Sequence, residues 1–274
     1  MRIALAQITS TTDPAVNLEV VAAEITAAVA AGARLLVLPE ATMCCFGPPL
    51  APIAEPVDGP WASGLAALAE AAGITVVAGA FTPGAGGRVR NTLLARGGGV
   101  HAHYDKIHLY DAFGFAESDT VEAGADLVVL DIDGVRVGLA TCYDVRFPGL
   151  FTALADRGAQ VVVLAASWGA GPGKVGQWDL LTRARALDST CFVLACDQAD
   201  PGRRSEAPTG VGHSRVLAPS GDIVAELGAG AGRLVLDLDL SAVEEVRALL
   251  PVLANRRHLG MGDGPGTRHG DTPS

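Results

Sequence analysis

The chain repeats one order of elements in its two halves, and this internal repeat constrains the fold more than any other feature. Residues 27–41 (AAVAAGARLLVLPEA) are similar to residues 152–166 (TALADRGAQVVVLAA), and each stretch is typical of a helix end followed by a buried strand. Residues 91–104 (NTLLARGGGVHAHY) are similar to residues 213–227 (HSRVLAPSGDIVAEL), and both predict two short strands around a turn. Strands that alternate with helices in both halves predict an α/β fold.

The repeat predicts two pseudo-equivalent halves, each of which contributes one sheet with helices on one face. Neither half could cover its own sheet alone. We therefore expect a four-layer α-β-β-α sandwich that forms a single domain over residues 1–262. The composition of residues 263–274 is that of a linker and predicts a flexible C-terminal tail.

The composition is that of a soluble globular protein. Hydrophobic residues make up 49% of the 274 residues and charged residues 18%, and no apolar run approaches the ~20 residues that span a bilayer. The net charge of −10 argues against nucleic acid or an anionic membrane as a partner. The N-terminus turns polar after Ile8, unlike a signal peptide, and the five cysteines form no regular framework. A reducing cytoplasm is the expected location.

Local signals refine this outline at two places. Asp13 and Pro14 are typical of a helix start and Gly32 of a helix end, so a helix is expected between them. The glycines of residues 226–234 (ELGAGAGRL) are expected in a hairpin turn. Because that turn is not a junction between a strand and a helix, a dinucleotide site is not expected.

Three reactive side chains stand at or just beyond predicted strand ends, where α/β proteins place their functional residues. Glu40 ends the strand RLLVLPE, Cys142 ends VRVGLATC, and Lys106 follows a strand in YDKIHLYD. In the internal alignment Glu40 corresponds to Ala166, and Cys142 corresponds to Ile8. These groups therefore break a repeat that purely structural residues would tend to keep.

The three side chains suit nucleophilic catalysis. A free thiol has a pKa of about 8.5 and is mostly protonated at neutral pH. Glu40 could therefore take the proton of Cys142 as the sulfur attacks a carbonyl or nitrile carbon. Lys106 and the backbone N–H of Tyr143 could stabilise the charge that develops. Each residue alone also fits a structural role: Cys142 in a core, Glu40 as a helix cap, Lys106 on the surface. No Cys/His set has the spacing of zinc ligands, and the other cysteines are expected to be structural.

Three motifs together resemble the nitrilase superfamily of carbon–nitrogen hydrolases: VLPEA with Glu40, YDKIHLYD with Lys106 and TCYDVRFPGL with Cys142. Their order and spacing are similar over nearly the whole chain. The resemblance implies a Glu-Lys-Cys catalytic triad, the same α-β-β-α sandwich, and no metal or organic cofactor. It also implies a second glutamate that orients the lysine. Glu117 is the candidate in FAESDTVEAG, with Glu122 as the alternative.

The residues after the nucleophile resemble one branch of that superfamily. Cys142-Tyr143-Asp144, followed by LLTRARALDS, is similar to the Nit branch, which includes omega-amidases and deaminated glutathione amidases. Members that attack nitriles commonly have Cys-Trp-Glu instead. The resemblance implies hydrolysis of a small acidic amide to a carboxylic acid and ammonia or an amine. A nitrilase, an N-carbamoyl hydrolase and a non-catalytic binding protein with this fold stay open as alternatives.

Several further residues are candidates for contact with a small-molecule amide substrate. Tyr143 and Arg146 follow the nucleophile, and Trp168 lies where an equivalent strand of the second half ends. Lys174 or Arg204 could hold a substrate carboxylate.

The resemblance also implies a homodimer or a larger homo-oligomer that forms through helices beside the active site. Residues 244–259 (EEVRALLPVLANRRHL) could form an arm for that contact or an ordinary last helix.

Overall fold

The computed structural model describes residues 1–112, 114–202 and 209–257, so Arg204 and the predicted tail over 263–274 lie outside the described residues. The strands are β1 (Arg2–Gln7), β2 (Leu35–Val37), β3 (Thr75–Pro83), β4 (Val89–Gly97), β5 (Val100–Asp105), β6 (Asp111–Ala112), β7 (Phe115–Ala116), β8 (Val129–Ile132), β9 (Val135–Thr141), β10 (Val161–Ala166), β11 (Phe192–Asp197), β12 (Arg215–Leu217), β13 (Ile223–Glu226) and β14 (Gly232–Asp237). The helices are α1 (Pro14–Ala30), α2 (Pro60–Ala72), α3 (Pro148–Asp156), α4 (Lys174–Ser189), α5 (Ser241–Leu249) and α6 (Val252–Asn255). Short 3₁₀ turns cover Ala85–Gly87, Glu117–Asp119 and Cys142–Arg146.

Two six-stranded sheets form the centre of the fold. The first has the order β14-β1-β2-β3-β4-β5, and the second has the order β13-β12-β11-β10-β9-β8. In each sheet three neighbouring strands are parallel, β1-β2-β3 in the first and β9-β10-β11 in the second, while the outer strands are antiparallel. Strands β6 and β7 form a separate small hairpin.

Side chains fill the space between the sheets and the space under the helices. The layer between the sheets is built from alternating aliphatic residues of both sheets, including Ile3, Leu5, Val37, Val137, Leu139 and Val163. The outer face of the first sheet is covered by α1 and α2, and that of the second by α3 and α4. The predicted α-β-β-α sandwich is thereby confirmed.

The strand register reproduces the internal alignment of the sequence. Ile3 lies beside Leu35 in the first sheet, and Val137 lies beside Val161 in the second. When these two pairs are superimposed, each residue that follows a strand of the first half corresponds to the same residue of the second half as in the sequence alignment. The two halves therefore share one scaffold and differ in the side chains at its strand ends.

The expected hairpin turn over residues 226–234 is wrong. Strand β13 belongs to the second sheet and β14 to the first, so the glycine-rich segment carries the chain from one sheet to the other. Its carbonyl groups accept hydrogen bonds from both halves, at Gly228 from Gln7 Nε2 (2.8 Å) and at Ala229 from Asp200 N (2.8 Å). A run of small residues fits a tight turn and a tightly packed crossover equally well, and only the tertiary pairing distinguishes them.

The predicted first helix is confirmed, with its signals at both ends. Asp13 accepts a hydrogen bond from Ala15 N at 2.9 Å, Pro14 is the first helical residue, and Gly32 follows the end of α1 with a φ of +78°.

Near the C-terminus, α5 and α6 are separate helices, and Leu253 of α6 packs against the core of its own chain. No helix in the described ranges is long and apolar enough to cross a membrane.

The loop after β2 is held against β3 at Gly79. Gly79 N donates to Pro39 O at 3.1 Å, and Met43 N donates to Gly79 O at 2.9 Å. The next residue after Glu40, Ala41, has a φ of +58°, which is unusual for a residue other than glycine. This sharp turn directs Glu40 into the space at the carboxyl ends of the parallel strands.

We expect Gly79→Ala to destabilise the protein by about 1–3 kcal/mol, because the added methyl group forces the backbone apart. A Cβ atom at Gly79 would lie 2.5 Å from Ala41 N and 2.7 Å from Glu40 Cα. Urea unfolding measures the effect. Gly149→Ala is the control, since a Cβ atom there in α3 meets nothing within 4 Å. Equal stability of the two variants would contradict the close packing around Glu40.

Candidate active site

The structure brings Glu40, Lys106 and Glu117 into one buried cluster. Their exposed fractions are 1%, 2% and 4%. Lys106 Nζ lies 3.2 Å from Glu40 Oε1 and 2.9 Å from Glu117 Oε2. One ammonium group therefore donates to two carboxylates at a place that water scarcely reaches.

Cys142 joins this cluster from the second half of the chain. It follows β9 as the first residue of a 3₁₀ turn and has a φ of +45°, in the sparsely populated left-handed region. Its thiol faces the Glu40 carboxylate and the backbone N–H of Ser167, and both groups act on its ionisation. The Ser167 N–H also lies 2.8 Å from Glu40 Oε2. A nucleophile-type residue, an acid and an ammonium group are thus in contact.

The two glutamates that the sequence offered for the loop after the lysine lie in different surroundings. Glu117 accepts from Lys106 and, through Oε2, from Tyr110 N at 2.7 Å. Glu122 instead pairs with Arg90 Nη2 at 3.0 Å and accepts from the backbone of Ala85. Of these two loop glutamates, Glu117 is therefore the one that contacts Lys106.

Asn91 is a member of the cluster that the sequence analysis missed. Its Nδ2 lies 2.7 Å from Glu40 Oε1 and 3.2 Å from Glu117 Oε1. Asn91 begins no motif and stands near the start of a predicted strand, where the sequence does not tell which face a polar side chain occupies. A polar residue at the start of an apolar run is the only signal it gives.

Asp144 fastens the Cys142 turn to the segment that carries Lys106. Its carboxylate accepts from Thr141 N (2.9 Å) in the turn and from Tyr104 Oη (2.6 Å) at the end of β5. It also accepts from the backbone N–H of His108 at 3.0 Å and contacts the ring Nδ1 of that residue at 2.7 Å. A fully buried carboxylate with this many donors fixes the spacing between the thiol and the ammonium.

Burial and charge oppose each other in the cluster. Burial raises the pKa of Glu40, and the negative charge of Glu117 adds to the rise, while Lys106 acts against it. Burial by itself would lower the pKa of Lys106, but Glu40 and Glu117 outweigh it and hold that pKa well above its ordinary value. Burial, together with the charge of Glu40, holds the pKa of the Cys142 thiol well above its usual range. The resting thiol is therefore neutral.

A fourth buried acid, Asp197, ends β11 next to these groups. Its carboxylate accepts from Trp168 N at 2.7 Å and from Val211 N at 2.9 Å. Burial raises the pKa of Asp197 to about 8, although the two backbone donors act against the rise. Asp197 was not among the sequence candidates. It holds the backbone next to Ser167, whose N–H contacts Glu40 and the thiol.

The candidate substrate residues form a group of cations and aromatic rings that we call the rim. Its members are Tyr143, Arg146, Trp168 and Lys174, with Tyr110 beside them. Arg146 Cζ lies 5.7 Å from the ring centre of Tyr143 and 5.1 Å from that of Trp168. Lys174 Nζ lies 5.5 Å from the ring centres of both Trp168 and Tyr110. Trp168 is held in turn by its indole Nε1, which donates to Lys174 O at 3.0 Å. Two cations thus meet on one aromatic side chain that follows β10.

In the part of the chain that the structure describes, no group of three or more His, Cys, Asp or Glu side chains is arranged to hold a metal ion. The five cysteines all lie in that part, and none of them forms a disulfide.

We expect the wild-type protein to lose stability relative to Asp197→Asn as pH rises. The carboxyl has a pKa of about 8 when folded and about 4 in an unfolded chain, so the folded state favours the neutral acid. Its contribution is complete below about pH 4 and is lost as pH rises to about 8. The free energy of unfolding should fall, relative to the variant, by up to about 1.4 kcal/mol per pH unit in that range.

Urea unfolding of both proteins at several pH values measures this slope. The variant also loses a hydrogen-bond acceptor, but that loss does not depend on pH. A difference between the proteins that stays constant from about pH 5 to about pH 8 would contradict the raised pKa of Asp197.

Comparison with known proteins gives one family and several close relatives. A family model described as carbon-nitrogen hydrolase matches residues 2–248. The chain is 56% identical over 267 residues to hydrolase Rv0480c of Mycobacterium tuberculosis. This alignment covers 93% of this chain and 95% of that protein. It is 40% identical over 186 residues to the deaminated glutathione amidase of Escherichia coli O157:H7. This alignment covers 67% of this chain and 68% of that protein.

Solved structures share the fold over almost the full length. Nit3 of Saccharomyces cerevisiae, a member of branch 10 of the nitrilase superfamily, has a TM-score of 0.81 at 26% identity and covers 92% of this chain and 94% of its own. A variant of an amidase from Nesterenkonia sp. AN1 has a TM-score of 0.79 at 28% identity and covers 94% of both chains. That structure carries the acetamide moiety of fluoroacetamide on its active-site cysteine.

Proposed function

Because the chain belongs to the carbon–nitrogen hydrolase family, as its motifs predicted, we propose that it is an amidase that cleaves a small acidic amide through a thioester on Cys142. One observation carries the proposal: the Cys142 thiol contacts the Glu40 carboxylate, which contacts the Lys106 ammonium, in a buried cluster. The covalent adduct on the active-site cysteine of the Nesterenkonia amidase supports the same role for Cys142.

Glu40 acts as the base through Oε2. Its Oε1 already accepts from Lys106 Nζ at 3.2 Å and Asn91 Nδ2 at 2.7 Å, whereas Oε2 accepts from Ser167 N at 2.8 Å on the side of the thiol. Because the thiol is neutral at rest, its proton passes to Glu40 as the sulfur attacks the amide carbon. The buried carboxyl, whose pKa is raised, holds that proton well enough to act next as an acid.

The remaining steps return each group to its starting form. The C=O double bond opens as the C–S bond forms, and Lys106 Nζ and the N–H of Tyr143 stabilise the oxyanion. The carbonyl re-forms, the C–N bond breaks, and Glu40 gives its proton to the leaving nitrogen. Water then attacks the thioester and loses a proton to Glu40, which passes it to the departing thiolate. The products are a carboxylic acid and ammonia or an amine.

The rim supports an acidic substrate. The protein carries a net charge of −10, so a substrate carboxylate needs local cations at the site. Arg146 and Lys174 both lie beside Trp168, within 5.5 Å of its ring centre. The similarity to a deaminated glutathione amidase supports the same substrate class.

We expect Cys142→Ala to lose at least about a thousandfold of the amidase activity, because the thioester then has no sulfur. Ammonia release from a panel of small acidic amides, including an ω-amide of a keto acid, measures the loss. In the wild type, rapid denaturing quench and peptide mass spectrometry should find the acyl group on the Cys142 peptide. The partly exposed Cys45→Ala variant is the control and should keep its activity.

Three results would contradict the proposal. Full activity of Cys142→Ala would exclude the thioester. Turnover of nitriles but not amides would make the protein a nitrilase, and release of carbon dioxide would make it an N-carbamoyl hydrolase.

We expect Lys174→Met to raise the KM for an acidic amide by about tenfold or more and to leave the KM of a neutral amide of equal length nearly unchanged. Methionine keeps an unbranched side chain and removes the charge, together with the hydrogen bond from Nζ to Tyr110 Oη at 3.4 Å. Arg183→Met is the matched control in the same helix, because Arg183 Nε donates instead to Gly221 O. An equal rise in KM for both amides would show that Lys174 does not recognise a carboxylate.

A further inference from the structure

We propose that Asn91 is a positioning residue, whose side-chain amide holds Glu40 and Glu117 beside Lys106 and keeps the proposed base ionised. This role rests on the proposed function, since it concerns the group that takes the thiol proton. Asn91 does not touch the reacting atoms in this scheme. It acts through the two carboxylates.

Asn91 contacts every charged member of the cluster. Its Nδ2 donates to Glu40 Oε1 and Glu117 Oε1, and its backbone carbonyl accepts from Lys106 N at 2.9 Å. Asn91 is fully buried, and its place in β4 opposite Phe81 ties it to the neighbouring strand. A single rigid residue therefore fixes the backbone of the lysine and the side chains of both acids.

The orientation of the Asn91 amide is determined by the carboxylates. Its Oδ1 is buried and has no hydrogen-bond partner among the described residues. The opposite orientation would turn that oxygen toward two carboxylate oxygens and remove both donated hydrogen bonds. An unpaired buried acceptor is unfavourable, so the two bonds to ionised acids at Nδ2 must outweigh it.

A neutral donor suits this position for an electrostatic reason. Glu40 and Glu117 repel each other, and one ammonium serves both of them. The Asn91 amide adds donors without adding a charge, so it favours ionised carboxylates and leaves the balance with Lys106 unchanged. Burial raises the pKa of Glu40, and the hydrogen bond from Asn91 lowers it. Without that bond, Glu40 loses its proton at a higher pH.

Asn91 also selects the oxygen that faces the thiol. Because Asn91 and Lys106 both bind Glu40 Oε1, the carboxylate cannot rotate without breaking both contacts. Oε2 is then held beside the Ser167 N–H, on the side of Cys142. Loss of Asn91 would therefore change both the ionisation and the direction of the base.

The test is the pH dependence of Cys142 alkylation by iodoacetamide in the full-length wild type and in Asn91→Leu. Leucine has a similar volume, donates nothing and removes the unpaired oxygen. We expect the acid limb of the alkylation profile to move up by about one pH unit, which is a tenfold slower reaction at a pH on that limb. The rate should recover at alkaline pH. The acid limb of kcat/KM should move by the same amount.

Two further variants make the result specific. Asn91→Asp keeps the shape but replaces the donor by a third carboxylate, so the limb should move further in the same direction. Thr92→Val changes the next residue of β4, which is equally buried and donates to Asp105 Oδ1 at 2.7 Å. That control should leave the limb in place. Thermal unfolding confirms that each protein is folded before measurement.

The outcomes separate this proposal from the proposed function, because alkylation needs no amide substrate. A limb that stays in place in Asn91→Leu, with a rate lowered equally at every pH, would overturn the positioning role and leave the amidase proposal intact. If the wild type cleaves no amide but the alkylation limb is shifted in Asn91→Leu, the amidase proposal is overturned and the role of Asn91 is supported.

Discussion

A single buried ammonium shared by two carboxylates is the interaction on which the rest of the site depends. Lys106 lies between Glu40 and Glu117, and the exposed fraction of each of the three residues is below 5%. Removal of such a charge from water costs several kcal/mol unless partners replace the lost hydration. The ammonium is therefore stable there only with its acids in place. That requirement brings together the loop after β2, the segment after β5 and a 3₁₀ turn that no local sequence rule would connect.

The second sheet adds the thiol to this charged centre. Cys142 stands on a strained turn with its thiol against Glu40, and the Ser167 N–H contacts both groups. Since burial keeps the thiol neutral, the proposed mechanism couples sulfur attack to proton transfer, unlike a mechanism with a preformed thiolate. The rim of Arg146, Lys174 and Trp168 lies outside the cluster, and in the proposed function it separates substrate recognition from bond cleavage.

Residues at strand ends were predictable from sequence, whereas contacts between distant segments were not. Glu40 and Cys142 break an internal repeat whose register the strands reproduce, Lys106 follows a predicted strand, and the motif resemblance supplied Glu117. Glu117 and Glu122 are five residues apart in one loop, so only the fold decides which of them meets Lys106. Asn91 and Asp197 gave no comparable signal, because a polar residue in a strand does not reveal its neighbours. The pairing of β14 was missed for a similar reason: β14 lies beside β1, and this contact joins the two ends of the chain.

The crystal structure of the Cys142→Ser variant with a bound amide tests the central claim most directly. The claim is that one buried cluster binds the carbonyl oxygen through Lys106 and faces the carbon with residue 142. We expect the amide oxygen within about 3 Å of Lys106 Nζ and of Tyr143 N, and the amide nitrogen on the side of Glu40 Oε2. An amide whose oxygen points away from Lys106, or which binds outside the cluster, would contradict it.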